Sequence, residues 1–267
     1  MKRDSESDIK NISEQEMRRT TIKSLIGLAL GTFGLLGGMK WLVTGSDADG
    51  LSRPLRKVLE VNRKVAGMFY SNKNLTPVFP KEKAAPIPRL NGTIGLENSI
   101  DQAAWILNIQ NNVNIRGLNK SSMKITLDEI KKLPKTELTF EFKCIEGWSE
   151  ISNWGGTKFS DFMIAYGLGG LYADDEIKNL AEYVGLETPD GTYYVGLDME
   201  SALHPQTLLC YEMNSQPLTS EHGAPLRLIV PVKYGIKSIK RIGKIAFVSN
   251  RPSDYWAERG YDYYAGL

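Results

Sequence analysis

The chain has 267 residues, 42% of them hydrophobic and 24% charged, and its formal net charge is +2 at pH 7. This composition is typical of a globular protein that is long enough to bury a sizeable core. The nearly balanced charge argues against nucleic acid as a partner, because such surfaces are usually strongly basic. Two cysteines and two histidines are too few for a zinc site of the usual Cys/His spacing.

The first 23 residues are polar and lack the regular apolar spacing of a segment that packs in a core. We expect them to form a cytoplasmic tail. Residues 24–43 then form an apolar, glycine-rich run in which Lys40 is the one charged residue. A helix of that length spans about 30 Å, which matches the hydrocarbon core of a bilayer. Lys40 and Trp41 suit a membrane interface. We therefore expect a transmembrane or signal-anchor helix, with a buried core helix as the alternative.

Arg18 and Arg19 directly precede this run and resemble a twin-arginine export signal. An arginine pair is also the ordinary positive flank of a membrane helix, so a plain signal anchor stays open. Residues 46–48 could serve as a cleavage site, and removal of the segment stays open as well. The expected location is the cell membrane, with one span and the main domain on the periplasmic, extracytoplasmic side.

Residues 44–90 predict a linker and packing segment. Residues 54–70 carry apolar side chains at helical spacing. Four prolines follow between residues 77 and 88. Because proline restricts its own backbone and that of the preceding residue, this stretch should be extended and should pack along a surface.

Residues 91–267 mix helical and strand patterns in irregular order. This favours an α+β domain with mixed sheets over a doubly wound parallel sheet. Residues 122–133 predict a strand and then a short helix capped near Thr126 or Asp128, and residues 158–168 predict a second helix. Further strands are predicted at 103–111, 137–145, 192–199, 226–236 and 239–250.

The strand at 137–145 runs into Cys144, and a Gly147–Trp148 turn follows. Its alternation places four side chains on one face: Leu138, Phe140, Phe142 and Cys144. The pattern allows three interpretations of the cysteine. It could be a buried core residue, half of a disulfide with Cys210, or a thiolate that is reactive or bound to a metal.

Residues 212–245 combine dense turn signals with a cluster of basic residues. Arg227 lies near the start of a predicted strand, and Lys233, Lys237, Lys240 and Arg241 follow. Basic residues and glycines this close together suit a phosphate bound on a backbone loop. A solvated strand edge is an equally good interpretation of the composition.

Two segments resemble the signature of the sulfite oxidase superfamily of molybdopterin-dependent oxidoreductases. They are CIEGWSEISNWGGTKFSDFM (144–163) and HGAPLRLIVPVKYGIKSIKRI (222–242). YEMNSQPL (211–218) and RPSDYWAERGYDYYAGL (251–267) match in the same order. The resemblance covers residues 85–267 and implies a sulfite-oxidase-like, molybdopterin-binding fold for the domain at 91–267.

The resemblance also implies roles for individual residues. Cys144 corresponds to the thiolate ligand of molybdenum, an assignment that suits a soft sulfur donor, and Cys210 becomes a core residue. The molybdopterin phosphate would meet Arg227 and the segment Ser238, Ile239 and Lys240.

Three further cofactor contacts are implied by the same resemblance: Asn91, Thr188 and His222. His222 stands where the methionine-sulfoxide-reductase branch has an asparagine, so its contact with the pterin departs from that pattern. Asn91 lies in the most loosely matched part of the chain.

The expected reaction is oxygen-atom transfer at one molybdenum–molybdopterin per chain. The loop after Cys144 carries Glu146 and no arginine, which disfavours an anionic substrate, although Arg116, Lys158 or Arg251 could fold in. CIEGWS resembles the cysteine loop of periplasmic methionine sulfoxide reductases, so we expect reduction of a small-molecule or protein-bound oxide. With no haem expected in this chain, a membrane b-type cytochrome would exchange the electrons. Sulfite oxidation and a non-catalytic anchored binding module are the alternatives.

Overall fold

The computed structural model describes Gly34 and residues 36–40, 47–48, 51–69, 74–111, 121–173, 176–178 and 180–266. The chain divides into two compact units, Met1–Val61 and Asn62–Leu267. Gly34 and residues 36–40 are helical, whereas the rest of the span expected at 24–43 and the arginine pair lie outside the described residues. No helix within the described ranges is both long enough and apolar enough to cross a bilayer.

A short hairpin precedes the first long helix. It pairs β1 (Asp47–Ala48) with β2 (Leu51–Ser52) in antiparallel orientation. The helix predicted at 54–70 is present as α1 (Arg53–Phe69). Pro54 lies in its first turn, where a backbone N–H has no intrahelical partner to lose.

The larger unit contains a five-stranded mixed sheet in the order β10-β9-β14-β3-β4. The pair β3–β14 is parallel and the other neighbours are antiparallel. Buried Leu107, Leu186 and Ile245 carry its inner face into the main core. The strands are β3 (Ile106–Asn111), β4 (Ser121–Thr126), β9 (Tyr183–Glu187), β10 (Tyr194–Asp198) and β14 (Lys244–Val248).

A second, antiparallel sheet has the order β12-β11-β6-β5, and β13 also pairs with β11. Gly156 lies where this sheet is tightest, because a Cβ there would come 2.1 Å from the carbonyl oxygen of Leu209. The strands are β5 (Lys135–Lys143), β6 (Ser149–Lys158), β11 (Leu208–Met213), β12 (Gln216–Pro217) and β13 (Arg227–Ile229).

Short helices connect the strands. Thr126 caps α2 (Leu127–Lys131) through a reciprocal capping box with Glu129, as the sequence predicts. The helix expected at 158–168 is present as α3 (Phe159–Tyr166), and Gly167 ends it in the left-handed conformation. The remaining elements are the hairpin β7 (Leu171–Ala173) and β8 (Glu176–Lys178), α4 (Met199–Ala202), and 3-10 turns at Lys81–Lys83, Gly235–Lys237 and Ala257–Arg259.

The proline-rich segment is extended and packs along the second sheet, as expected. The backbone N–H of Phe79 donates to the carbonyl of Thr139 on the edge strand β5 at 2.9 Å. The N–H of Ala85 donates to the carbonyl of Ile151 on β6, also at 2.9 Å. These contacts bring the residues that follow, 89–94, next to the end of β5.

Two predicted strands are shorter than expected. The strand at 226–236 covers only Arg227–Ile229, because its partner β11 begins at Leu208 opposite Ile229 and Pro231 has no N–H to donate. The strand at 239–250 covers only Lys244–Val248. Residues 239–243 form bends and irregular backbone instead, and Ile239 and Lys240 of the expected phosphate-binding segment lie among them.

Candidate active site

A cleft in the larger unit brings together most of the residues that the sequence singles out. It holds about 1070 Å³ of empty space, including its open mouth. Six of the eight predicted site residues line it: Asn91, Cys144, His222, Arg227, Ser238 and Lys240. Other lining side chains come from residues 89–94, the turn after β5, the turn before β10 and the C-terminal segment: Arg89, Ile94, Trp148, Tyr193, Trp256 and Tyr261.

Cys144 lies directly after the last residue of β5, in a tight turn. Its N–H donates to the carbonyl of Trp148 at 2.9 Å, and its carbonyl accepts from Gly147 N at 3.1 Å. Gly147 has a φ of 88°, a left-handed conformation that glycine adopts at little cost. The turn therefore holds the sulfur at the cleft wall, with 6% of the residue exposed.

The environment of the sulfur has opposing effects on its ionisation. Burial raises the pKa of the Cys144 thiol, while the backbone N–H of Glu146 and the charge of Arg89 act to lower it. Asn91 Nδ2 also lies 3.6 Å from Sγ. Cys144 and Cys210 are both free thiols, so the disulfide alternative is wrong, and Cys210 is a fully buried core residue.

Arg227 projects from β13 into the interior end of the cleft. Its guanidinium donates to the carbonyls of His222 at 2.9 Å and Ser238 at 3.2 Å, and lies 4.6 Å from the Trp154 ring. Its Nε is buried and has no hydrogen-bond partner among the described residues. Burial lowers the pKa of Arg227 to about 10, so the side chain remains charged at neutral pH.

Lys240 connects its own loop to two others at this end through hydrogen bonds. Its ammonium donates to the carbonyls of Asn91 at 2.7 Å, Gly92 at 3.0 Å and Glu221 at 2.7 Å. Burial, together with the charge of Arg227, lowers the pKa of Lys240 to about 7. Gly223 makes the close approach possible, because a Cβ there would lie 2.7 Å from Lys240 Cβ.

His222 and Ser238 complete the group around Arg227. His222 Nδ1 lies 3.0 Å from Thr219 Oγ1, whereas its Nε2 is buried and has no partner among the described residues. Burial and the charge of Arg227 lower the pKa of His222, so the ring is neutral at pH 7. The Ser238 hydroxyl accepts from Val230 N at 3.2 Å and keeps its own proton to donate.

Two predicted site residues lie elsewhere. Thr188, 3% exposed, is outside the cleft, and its hydroxyl donates to Asp190 at 2.6 Å within the turn between β9 and β10. The Ile239 side chain is fully buried in the main core, and its carbonyl accepts from Leu228 N at 2.9 Å. Neither side chain is therefore placed to contact a group in this cleft.

Arg89 is the basic residue that the sequence analysis missed. Its guanidinium carbon lies 4.7 Å from the Trp148 ring centroid at the cleft. Neither Lys158 nor Arg251, both considered from the sequence, lines the cleft, and Arg116 is outside the described residues. The signal for Arg89 is its position two residues before Asn91, at the end of the segment 44–90 that the sequence predicts to be a linker.

The residues of the cleft fit a phosphate-bearing molybdenum cofactor. Two buried polar nitrogens, Arg227 Nε and His222 Nε2, have no hydrogen-bond partner in the described parts of the chain, and both residues line the cleft beside Lys240. Such unpaired groups are costly unless a ligand binds them. The Cys144 sulfur, a soft donor that suits molybdenum, lines the same cleft.

Comparisons with known proteins agree with this geometry. Residues 96–256 match the oxidoreductase molybdopterin binding domain. A chain from Azospira oryzae, provisionally named protein-methionine-sulfoxide reductase subunit YedZ1, is 32% identical over 237 residues, which cover 86% of this chain and 84% of the relative.

Two further matches cover less of the relative. The catalytic subunit MsrP of the protein-methionine-sulfoxide reductase of Ralstonia nicotianae is 34% identical, over 58% of this chain and 50% of that one. The crystal structure of the sulfane dehydrogenase SoxCD from Paracoccus pantotrophus aligns with a TM-score of 0.47 and 17% identity, over 58% of this chain and 40% of that one. On the domain match and the relative from Azospira oryzae, this chain belongs to the oxidoreductase molybdopterin-binding domain family of the sulfite oxidase superfamily and is a molybdenum-dependent oxidoreductase.

Proposed function

We propose that this enzyme reduces a sulfoxide-type substrate by oxygen-atom transfer. In the balanced reaction the sulfoxide takes up two electrons and two protons, its S–O bond breaks, and a thioether and water form. A membrane b-type cytochrome would supply the electrons, since we propose one molybdenum–molybdopterin and no haem in this chain. The names of the relatives from Azospira and Ralstonia support this class of substrate.

The observation that carries the proposal is the distribution of charge along the cleft. The interior end has Arg227 and Lys240 beside the neutral His222, whereas the Cys144 loop contributes Glu146. Glu150 also lines the cleft, so the described residues that line it near the sulfur contribute two carboxylates and one basic side chain, that of Arg89. A neutral sulfoxide meets no net repulsion there, whereas the sulfite dianion does.

Each part of the cleft then has a task. When bound, the molybdenum cofactor supplies the centre at which the oxygen atom and two electrons are exchanged. Arg227, His222, Ser238 and Lys240 would hold its phosphate end through charge-assisted hydrogen bonds. Cys144 would ligate the metal through Sγ, and the aromatic side chains around it exclude water from the reacting atoms.

We also propose that the catalytic domain is anchored at the cell membrane and lies on its periplasmic side. The apolar run at 24–43 and the arginine pair before it support this location. The large cofactor agrees with it as well, because a twin-arginine route exports proteins that are already folded.

Sulfite oxidation is the second candidate, because Arg89 supplies the positive charge that the Cys144 loop lacks. Steady-state kinetics decide between the two. The assays compare methionine sulfoxide with reduced viologen against sulfite with an electron acceptor. We expect kcat/KM to be higher for the sulfoxide. A tenfold or greater preference for sulfite, about 1.4 kcal/mol of transition-state stabilisation, would overturn the reductase assignment.

A further inference from the structure

Three side chains at the cleft form a connected stack beside the cysteine. Glu146 Oε2 accepts a hydrogen bond from the indole Nε1 of Trp148 at 3.0 Å. The guanidinium carbon of Arg89 lies 4.7 Å from the centroid of the same indole. All three residues line the cleft. The carboxylate therefore fixes the orientation of the ring, and the ring supports the guanidinium.

The backbone of Arg89 is anchored separately. Its N–H donates to the two carboxylate oxygens of Glu150 at 3.0 and 3.2 Å. This contact holds the main chain at Arg89 without using the side chain. The extended proline-rich segment before it is already bonded to the second sheet through Phe79 and Ala85. The position of the arginine is thus set by the fold, although its side chain is exposed.

The guanidinium of Arg89 has hydrogen-bond donors that are available to a ligand. Its five N–H groups make no hydrogen bond to any residue that the structure describes, and its one recorded contact is the face of Trp148. Stacking uses the face of the planar guanidinium and leaves the in-plane donors free.

We propose that Arg89 binds the sulfoxide oxygen of the substrate and directs it toward the centre that Cys144 would ligate, with Trp148 and Glu146 holding the guanidinium in place. Arg89 contacts substrate in this assignment, whereas Trp148 and Glu146 are positioning residues. The inference rests on the proposed function and adds the group that recognises the reacting oxygen. It also gives Glu146 a structural task, beyond repelling anions.

The surroundings favour a neutral, strongly dipolar acceptor. A sulfoxide oxygen carries a large partial negative charge and accepts from a guanidinium as a charge-assisted bond. Ile145, Trp256 and Tyr261 line the same cleft and offer apolar surface to the two carbon substituents on sulfur. With Glu146 and Glu150 in the same lining, the single positive charge of Arg89 does not balance the two negative charges of a dianion. It is sufficient to bind the partial charge of a sulfoxide oxygen.

The test uses the cofactor-loaded enzyme and a conservative series. Arg89→Gln should raise the KM for methionine sulfoxide roughly ten- to a hundredfold, the effect expected for the loss of a charge-assisted hydrogen bond, with molybdenum content unchanged. Glu146→Gln, whose amide oxygen still accepts from the indole, should stay within about threefold of the parent, whereas Glu146→Ala should approach Arg89→Gln. A KM for Arg89→Gln within twofold of the parent would overturn the inference.

The matched control is Arg259→Gln. Arg259 also stacks on an aromatic ring, with its guanidinium carbon 3.5 Å from the Tyr255 centroid, but it does not line the cleft. This variant should keep the parent KM. An equal rise in KM for both variants would show a general effect of surface charge and would also refute the assignment.

A binding measurement separates this inference from the choice of reaction. Dimethyl sulfone has S–O groups but resists reduction, so calorimetry on the oxidised holoenzyme reports binding alone. We expect its Kd to rise at least tenfold in Arg89→Gln and to be unchanged in Arg259→Gln. If the parent prefers sulfite yet the sulfone result holds, the reductase function fails and the oxygen-binding role of Arg89 survives. An unchanged Kd in Arg89→Gln refutes that role whichever substrate is preferred.

Discussion

Anion binding at the interior end of the cleft should take up a proton through Lys240. Burial and the neighbouring Arg227 lower the pKa of this lysine to about 7 in the free protein. At pH 8 only roughly one tenth of Lys240 is then charged. A bound dianion favours the ammonium form, so binding at this pH should draw close to one proton from solution. Each pH unit above 7 should cost about 1.4 kcal/mol of binding free energy, or roughly tenfold in Kd.

The assay is calorimetry of sulfate binding to the cofactor-free protein, in buffers of different ionisation enthalpy at pH 8. Sulfate is a suitable probe because its charge does not change in this range. His222 should not contribute, since burial and Arg227 already lower its pKa. Glu221 carries a lowered pKa through its own backbone and Thr219, and it stays ionised. Proton uptake near one for the parent and near zero for Lys240→Met is the expected pair of results.

The lowered pKa of Lys240 also makes the stability of the fold depend on pH, in the direction opposite to anion binding. The unfolded chain keeps the lysine protonated to about pH 10.4, so between pH 7 and that value it binds more protons than the folded, cofactor-free protein. The free energy of unfolding should therefore rise with pH in this window and fall as pH drops toward 7. If Lys240→Met showed the same proton uptake and pH dependence as the parent, the assignment of the titration to Lys240 would be wrong.

Three other predictions concern the metal, the export signal and the sheet. Cys144→Ser should keep the melting temperature within a few degrees but lose activity and much of the molybdenum measured by mass spectrometry, because a hydroxyl replaces the soft ligand. Arg18→Lys with Arg19→Lys should leave the protein in the cytoplasmic fraction, and normal export would favour a plain signal anchor. Gly156→Ala should lower the free energy of unfolding by about 2–3 kcal/mol, because its Cβ would meet Leu209 O at 2.1 Å. Gly266→Ala, with open space around it, is the control and should change little.

The sequence predicted the elements in which apolar side chains recur at a clear helical or strand spacing. The alternation over 137–145 gave β5, and the apolar spacing of 54–70 gave α1. It missed β6 and β11, the strands at the centre of the second sheet. Residues Ser149–Lys158 contain Asn153, Gly155 and Gly156, which are poor strand formers. Gly156 is required because the backbone of Leu209 approaches closely. Leu208–Met213 is buried almost throughout and shows no alternation.

The same reasoning explains why the predicted site residues do not all lie in the cleft. Motif resemblance located the sulfur and the basic group, because those residues lie in ordered segments with strong local signals. It also assigned Thr188 to the cofactor, although the local hydrogen bond to Asp190 occupies that hydroxyl. Apart from its position near Asn91, Arg89 carries no signal in the sequence, since its role arises from a contact with Trp148 across 59 residues of chain. Such contacts depend on how the proline-rich segment packs against the second sheet. The spacing of apolar residues in the sequence carries no information about that packing.

The two ends of the cleft are linked by one short loop. The carbonyl of Asn91 accepts from Lys240 at the interior end, while the amide of the same residue lies 3.6 Å from the Cys144 sulfur. When an anion holds Lys240 in its charged form, the bond to this carbonyl becomes stronger, because ionised donors bond more strongly than neutral ones. The loop is then fixed more firmly, and so is the amide that contacts the sulfur. Occupation of the phosphate end should therefore order the metal end before substrate binds, and Lys240→Met should weaken both.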